Sequence, residues 1–163
     1  MFEKVKGDCM NIRIARTNME EAQELLNIQK QAFQSDLEKY RGFATNPAAE
    51  SLISFIQRIL ISQHYTIFID EEIAGSIDIR KISEDHYVLN QLCLNPKWQN
   101  RGFGSKIMKM MEEMFPNVTI WSLKTQKDNA RNRHFYEKAG YFFIGEQRMT
   151  HQLTLVEYEK RLG

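Results

Sequence analysis

Apolar residues recur with two different spacings along the chain, and the switches between them outline the elements. Ile12 and Ile14 alternate with polar neighbours in "NIRIAR", which predicts a short strand. From Ala22 the spacing turns helical: Ala22, Leu25, Leu26, Ile28 and Phe33 make one stripe, and Thr17 or Asn18 can cap its start. The polar stretch "SDLEKYRGFATNP", with its glycine and proline, predicts a loop long enough to border a binding site. A second helix is expected from about Ala48 to Ile61, with Leu52, Phe55, Ile56, Ile59 and Leu60 on one face.

Between His64 and Leu94 the period drops to two. "YTIFID", "EIAGSIDIRKI" and "HYVLNQLCL" are β-branched and aromatic runs separated by "DEE" and "SED", an antiparallel meander of three strands. Helical spacing returns after Gly104 at Ile107, Met108, Met111, Met114 and Phe115, until Pro116 and Asn117 stop it and "VTIWSL" starts a strand. Asp128 or Asn129 can cap a further helix over "NARNRHFYEKA", with Gly140 placed as the residue that ends it. Two strands, near Tyr141 to Glu146 and His151 to Glu157, close a pattern that reads as one α/β domain with a mixed sheet.

Composition narrows the function. A chain of 163 residues can bury about two thirds of its unfolded surface without disulfides or metals. With 42% hydrophobic and 26% charged residues it is neither disordered nor fibrous, and a net charge of +1 argues against a general nucleic-acid binder. The charge is uneven: Lys97 to Lys138 holds nine basic and four acidic residues, which leaves −4 elsewhere. Such a division suits a polyanion at one end of a site and a cation at the other.

Cys9 and Cys93 cannot build a disulfide framework, and Cys93 in "LCL" reads as core. The four histidines lack metal-ligand spacing, so no metal is expected. No run approaches ~18 apolar residues and no apolar N-terminal stretch follows a basic cluster, so a cytoplasmic protein without membrane contact is expected.

The glycine-bearing turn "NPKWQNRGFG" carries the chemistry. Two glycines at the mouth of a helix leave main-chain N–H groups bare for an anion. It is not a nucleotide-triphosphate loop, because Gly-x-x-x-x-Gly-Lys-Ser/Thr spacing is missing. It is not a dinucleotide fingerprint either, because Ile107 stands where a third glycine is required and the following strand ends "WSLK" without an acid. What remains is Gln99-x-x-Gly102-x-Gly104 after "LNP", with "NARNRHFYEKAGY" downstream, where Asn129 is followed seven residues later by Tyr136 and then by Gly140-Tyr141. Together these motifs resemble the two signatures of the GNAT superfamily of N-acetyltransferases, over about residues 12–157 of a single domain spanning 1–163.

The resemblance implies a mostly antiparallel sheet of about seven strands, splayed at its centre and flanked by about four helices. It implies acetyl-CoA as acyl donor and direct attack by a primary amine, with no metal. The N–H groups of Arg101, Gly102, Phe103, Gly104, Ser105 and Lys106 would hold the pyrophosphate. Gln99 would brace the loop, and Arg101, Lys106 or Arg131 would meet the remaining phosphate charge. Any side chain at Gly104 is expected to crowd the phosphates or forbid the turn's backbone angles. The pantetheine arm would add as a strand along Leu92, Cys93 and Leu94, held from the other side by Asn129 and Asn132. The Leu94 N–H would face the thioester carbonyl and Tyr136 would donate to the leaving sulfur.

The glutamate that the histone-acetylating branch carries before the turn is replaced by Val88, and Asn90, two residues on and facing the same side, could hold a water. Asp36, Glu38, Tyr40, Asp78 and His86 stand as candidate bases, and Asp36, Tyr40 and Asn90 as acceptor-binding residues. The acceptor is expected to be a small-molecule or peptide amine, with a cationic one favoured by the acidic balance outside the turn. A homodimer fits the family's habits. The missing glutamate also suits a different class, a CoA-binding sensor or scaffold without catalysis. Cys93 as an acyl-carrying nucleophile is disfavoured, having no base nearby in sequence.

Overall fold

The computed structural model describes residues 10–34 and 47–163. Strands β1 (Ile12–Arg16), β2 (Gln63–Ile69), β3 (Glu72–Ser83), β4 (His86–Leu94), β5 (Ile120–Gln126), β6 (Phe142–Arg148) and β7 (Thr154–Arg161) form one sheet in the order β1-β2-β3-β4-β5-β7-β6. Every neighbouring pair is antiparallel except β4 with β5. Helices α1 (Ala22–Ala32), α2 (Leu52–Ile61), α3 (Phe103–Met114) and α4 (Ala130–Lys138) complete the α/β domain expected from the sequence. Among the described residues no helix is long and apolar enough to cross a membrane.

The two faces of the sheet are covered differently. The main core joins Ile67, Ile77, Ile79 and Trp121 of the sheet to Ile107, Met108 and Met111 of α3. A smaller cluster ties Ala22, Leu25 and Leu26 of α1 to Phe55 and Ile59 of α2. Beneath that cluster lies a polar hub. Arg58 of α2 pairs with buried Asp78 of β3 and donates to Glu50 (2.9 Å) and to Gln29 of α1 (2.8 Å), and Gln91 of β4 donates to the same Gln29 oxygen (2.8 Å). Turning Arg58 inward rotates α2, so that Phe55 and Ile59 face the core while Leu60, expected on that face, is 68% exposed. Leu52 is likewise on the outside.

Helix α1 begins at Ala22, the first residue of its stripe, and later than a cap at Thr17 or Asn18 would set it. Asn18 caps a 3-10 turn at Met19–Glu21, closed by a reciprocal bond from the Asn18 N–H to the Glu21 carboxylate, and α1 follows it. Residues 47–49 form a second such turn ahead of Ser51, the residue that caps α2.

Candidate active site

The cleft arises where β4 and β5 part. They pair in parallel only from His86–Leu89 to Ile120–Leu123. The next residue, Asn90, has no partner in β3: Asp78 pairs with Gln91 and Ile79 with Leu89. An extra residue bends its strand and increases its twist, so the remainder of β4 swings away from β5. The bulge also interrupts the alternation that would have put Asn90 on the same side as Val88. Asn90 is exposed and is not part of the cleft wall. The gap opens a cleft of about 550 Å³ between the end of β4, the turn before α3, and α4.

Hydrogen-bond alternation fixes what β4 shows to this cleft. The Asn95 N–H donates to the Ala74 carbonyl (2.8 Å), so the Gly75–Leu94 pair is a non-hydrogen-bonded one, and so is Ile77–Leu92 two residues on. The N–H and C=O groups of Leu92 and Leu94 therefore point away from β3, into the gap. The Leu94 carbonyl accepts from Gln99 Nε2 (2.9 Å), and Gln99 Oε1 accepts from Arg131 (3.2 Å), so Gln99 links the end of β4 to α4. The Leu94 and Leu92 N–H groups have no partner among the described residues.

Helix α3 starts at Phe103, one residue before the second glycine and earlier than its apolar spacing suggests. Gly102 is its capping residue, left-handed at φ +81°, and no side chain caps it, so the first N–H groups of α3 stay open at the cleft. Gly104 has ordinary helical geometry, which corrects the expectation of forbidden backbone angles. A Cβ there would stand 2.9 Å from Phe135 Cε1, so packing against α4 is what excludes a side chain.

Arg101 and Lys106 do not line the cleft. Arg101 stacks over Trp98 (4.9 Å) and Phe103 (5.4 Å), and Lys106 lies over Phe103. Phe103 itself is buried in the core.

The opposite wall is α4. Asn129 caps it, its side-chain oxygen accepting from the Asn132 N–H (3.0 Å), which leaves its amide NH₂ facing the cleft without a partner among the described residues. Gly140, at φ +100°, ends the helix as expected. Asn132 donates onward to Thr125. The cleft is also lined by Trp98, Asn100, His134, Phe135 and Lys138, which the motifs did not single out. Asn100 at φ +60° is the detectable exception, since asparagine tolerates the left-handed region in a turn. The basic side chains on this wall are Arg131, His134 and Lys138, and among the described residues the cleft lining holds no Asp or Glu for a cationic acceptor.

Tyr136 stands in the cleft wall, its ring packed on Phe135 and Tyr141 (centroids 5.1 and 6.0 Å apart). Loss of water pushes its phenol up to about 12, so it is a neutral donor at physiological pH. Burial also pushes the Cys93 thiol up to about 12, which removes the thiolate that acyl transfer through this residue would need.

Two candidate bases are excluded by position. Asp78 is 2% exposed beneath α2 with its charge met by Arg58. His86 bonds Ser122 (2.7 Å) at the start of β4, about 26 Å of extended chain from Leu94. Asp36, Glu38 and Tyr40 lie outside the described residues. Among the described residues no cluster of His, Cys, Asp and Glu could hold a metal.

The donor set suits coenzyme A on this chain's own geometry: uncapped N–H groups for the diphosphate, an unpaired strand edge for the two amides of pantetheine, and Arg131 and Lys138 on the facing wall. Solved structures with the same fold include the PaiA N-acetyltransferase of Thermoplasma acidophilum in complex with coenzyme A (17% identity, TM-score 0.70, 93% of this chain and 99% of that one). An acetyltransferase of Thermus thermophilus is also similar (14%, TM-score 0.76, 93% and 97%), as is the ribosomal-protein-S18-alanine N-acetyltransferase of Escherichia coli (13%, TM-score 0.73, 94% and 95%). No curated protein matches the chain in sequence. The profile of the Acetyltransferase (GNAT) family matches residues 22–141, and with the two signatures framing the splayed strands, this chain belongs to that family of acyl-CoA-dependent N-acetyltransferases.

Proposed function

We propose that the protein transfers the acetyl group of acetyl-CoA to a primary amine by direct attack in a ternary complex. The observation that carries this reading is the convergence on one cleft of the uncapped α3 terminus, the unpaired Leu94 N–H and the neutral Tyr136 phenol. Acetyl-CoA supplies the activated acyl group. The first-turn N–H groups of α3 and Arg131 bind its phosphates, Leu92 and Leu94 pair with its arm, and the Asn129 amide holds the arm from across the gap.

The Leu94 N–H donates to the carbonyl oxygen as it gains charge, an effect typically worth a few kcal/mol. Tyr136 donates to the sulfur as the thiolate forms. A phenol near 12 is a weaker acid than a thiol of pKa ~8.5, so Tyr136 stabilises the thiolate by hydrogen bonding until the proton shed by the newly acylated nitrogen reaches the sulfur through water, leaving the amide and the free thiol of coenzyme A. With Cys93 held as a thiol, no covalent acyl-enzyme is needed. The acceptor is a small-molecule or peptide amine; the S18-alanine relative acts on a protein N-acceptor, and a peptide amine is the form this reading favours for a cleft wall without acids.

Thiol release from acetyl-CoA, measured across a panel of amines and N-terminal peptides, tests the proposal. Wild type should turn over at least one acceptor, and Tyr136→Phe should lower kcat by about 10²-fold with little change in acetyl-CoA affinity. Tight CoA binding without turnover on any amine would point instead to a sensor.

A further inference from the structure

Helix α4 carries Asn129, Arg131 and Tyr136 at the cleft, yet little apolar burial holds it in place. It is nine residues long, and none of its side chains is fully buried. A helix of that length is marginal by itself, so its contacts with the rest of the chain decide how it lies. Phe135, Tyr136 and Ala139 rest on the main core. The first turn is tied down by Arg131 on Gln99 and by Asn132 on Thr125.

The other side-chain bonds of α4 converge on one hydroxyl. Tyr158 of β7 is 0% exposed, and its Oη accepts from Arg133 Nε (3.0 Å) and donates to Glu137 Oε1 (2.8 Å). Arg133 also donates to the Lys127 carbonyl (3.0 Å). Arg133 and Glu137 stand one turn apart, so a fixed point held between them resists both rotation of α4 about its axis and sliding along it. That point is set in the sheet: β7 lies between β5 and β6, where Tyr158 pairs with Leu123 and Phe143. Tyr136 directly precedes Glu137. Its ring has edge-on neighbours in Phe135 and Tyr141, but its hydroxyl has no hydrogen-bond partner among the described residues, so its direction follows from how this turn of α4 is held.

We infer, on the reading that Tyr136 serves the sulfur of coenzyme A, that Tyr158 is a positioning residue for it: clamped between Arg133 and Glu137, the Tyr158 hydroxyl fixes the rotation of α4 that aims the Tyr136 hydroxyl. Tyr158 does not line the cleft, so it acts through the helix and not on the ligand.

Two readouts on the full chain test this: the ultraviolet titration of the thiol of bound CoA, taken as loaded minus ligand-free protein, and kcat with the best amine of the acceptor panel. A hydrogen bond from Tyr136 favours the thiolate, so Tyr136→Phe should raise the pH at which the bound thiol ionises by about one unit. Tyr158→Phe keeps the buried ring and should reproduce most of that rise. It should lower kcat about tenfold while CoA affinity holds within about twofold, and lower kcat no further in a Tyr136→Phe background. Glu137→Gln keeps an acceptor for Tyr158 and should behave as wild type. Phe143→Leu trims a ring packed on Tyr158 but leaves its hydroxyl bonds, so it should lower the melting temperature without moving the thiol titration. A titration that ignores Tyr136→Phe overturns the role given to Tyr136 and this inference with it. One that responds to Tyr136→Phe but not to Tyr158→Phe, or responds equally to Phe143→Leu, overturns this inference alone, as does a kcat loss from Tyr158→Phe that is the same in both backgrounds. If no amine is turned over, the thiol titration decides by itself.

Discussion

The amino ends of α3 and α4 face the same cleft and are finished differently. Asn129 closes α4 with a side-chain oxygen, as Ser51 does for α2, whereas α3 begins on left-handed Gly102 with no cap at all. A good cap is worth about 1 kcal/mol. Forgoing it where the chain caps other helices marks a place whose N–H groups are kept for something outside the fold. The capped helix instead contributes side chains: the Asn129 amide, Arg131 and Tyr136. One wall offers backbone and the other offers chemistry.

The sharpest way to break this contrast is to alter the uncapped end. Gly102→Val forces a branched residue to φ +81° and should weaken CoA binding about 30-fold, read by calorimetry, with the corresponding cost visible in thermal stability. An unchanged dissociation constant would mean that the α3 terminus is not the phosphate site.

Next comes the seam between the helices. Gly104→Ala should cost about tenfold in CoA affinity by displacing the Phe135 ring, and Phe135→Leu in the same chain should restore most of it. Failure of that rescue would locate the clash with the ligand rather than with Phe135.

The two functions of Asn129 can then be separated. Asn129→Asp keeps the capping oxygen and loses the free amide, so stability should hold while CoA affinity falls about threefold to fivefold. Asn129→Ala should lose both the affinity and about 1 kcal/mol of stability in urea melts.

Smallest at neutral pH is an effect on the far face of the sheet. His64 is buried opposite Asp78, and burial lowers its imidazole to about 4 against ~6.5 in the unfolded chain. Its contribution to stability is therefore full above pH ~6.5 and lost as pH falls toward 4. His64→Gln should flatten the acid limb of a stability-against-pH curve in that window and leave CoA binding at pH 7 unchanged.

Local signals carried most of the fold. Alternation located the β2–β4 meander within a few residues, and Asn129 and Gly140 bracket α4 because capping is set by the residues at the ends themselves. What stayed hidden depends on distant partners. The constraint on Gly104 comes from Phe135, thirty-one positions away, and the start of α3 at Phe103 is set by Gly102 and not by the apolar stripe. The rotation of α2 follows from Arg58 reaching Asp78, and the parting of β4 and β5 follows from a bulge at Asn90 that a period of two cannot reveal. Likewise the stacking of Arg101 over Trp98 and Phe103 is a tertiary placement that the loop motif does not fix.

The central claim is that main-chain N–H groups of α3 take the diphosphate while the free edge of β4 takes the arm. Amide chemical shifts in a two-dimensional ¹H–¹⁵N titration address it directly. ADP should move Phe103 to Lys106 and leave Leu94 still, intact CoA should move Leu92 and Leu94 as well, and the Asn132 amide, already bonded to Asn129, should shift least. Shifts from ADP confined to other residues, or a Leu94 amide that ignores CoA, would contradict the account.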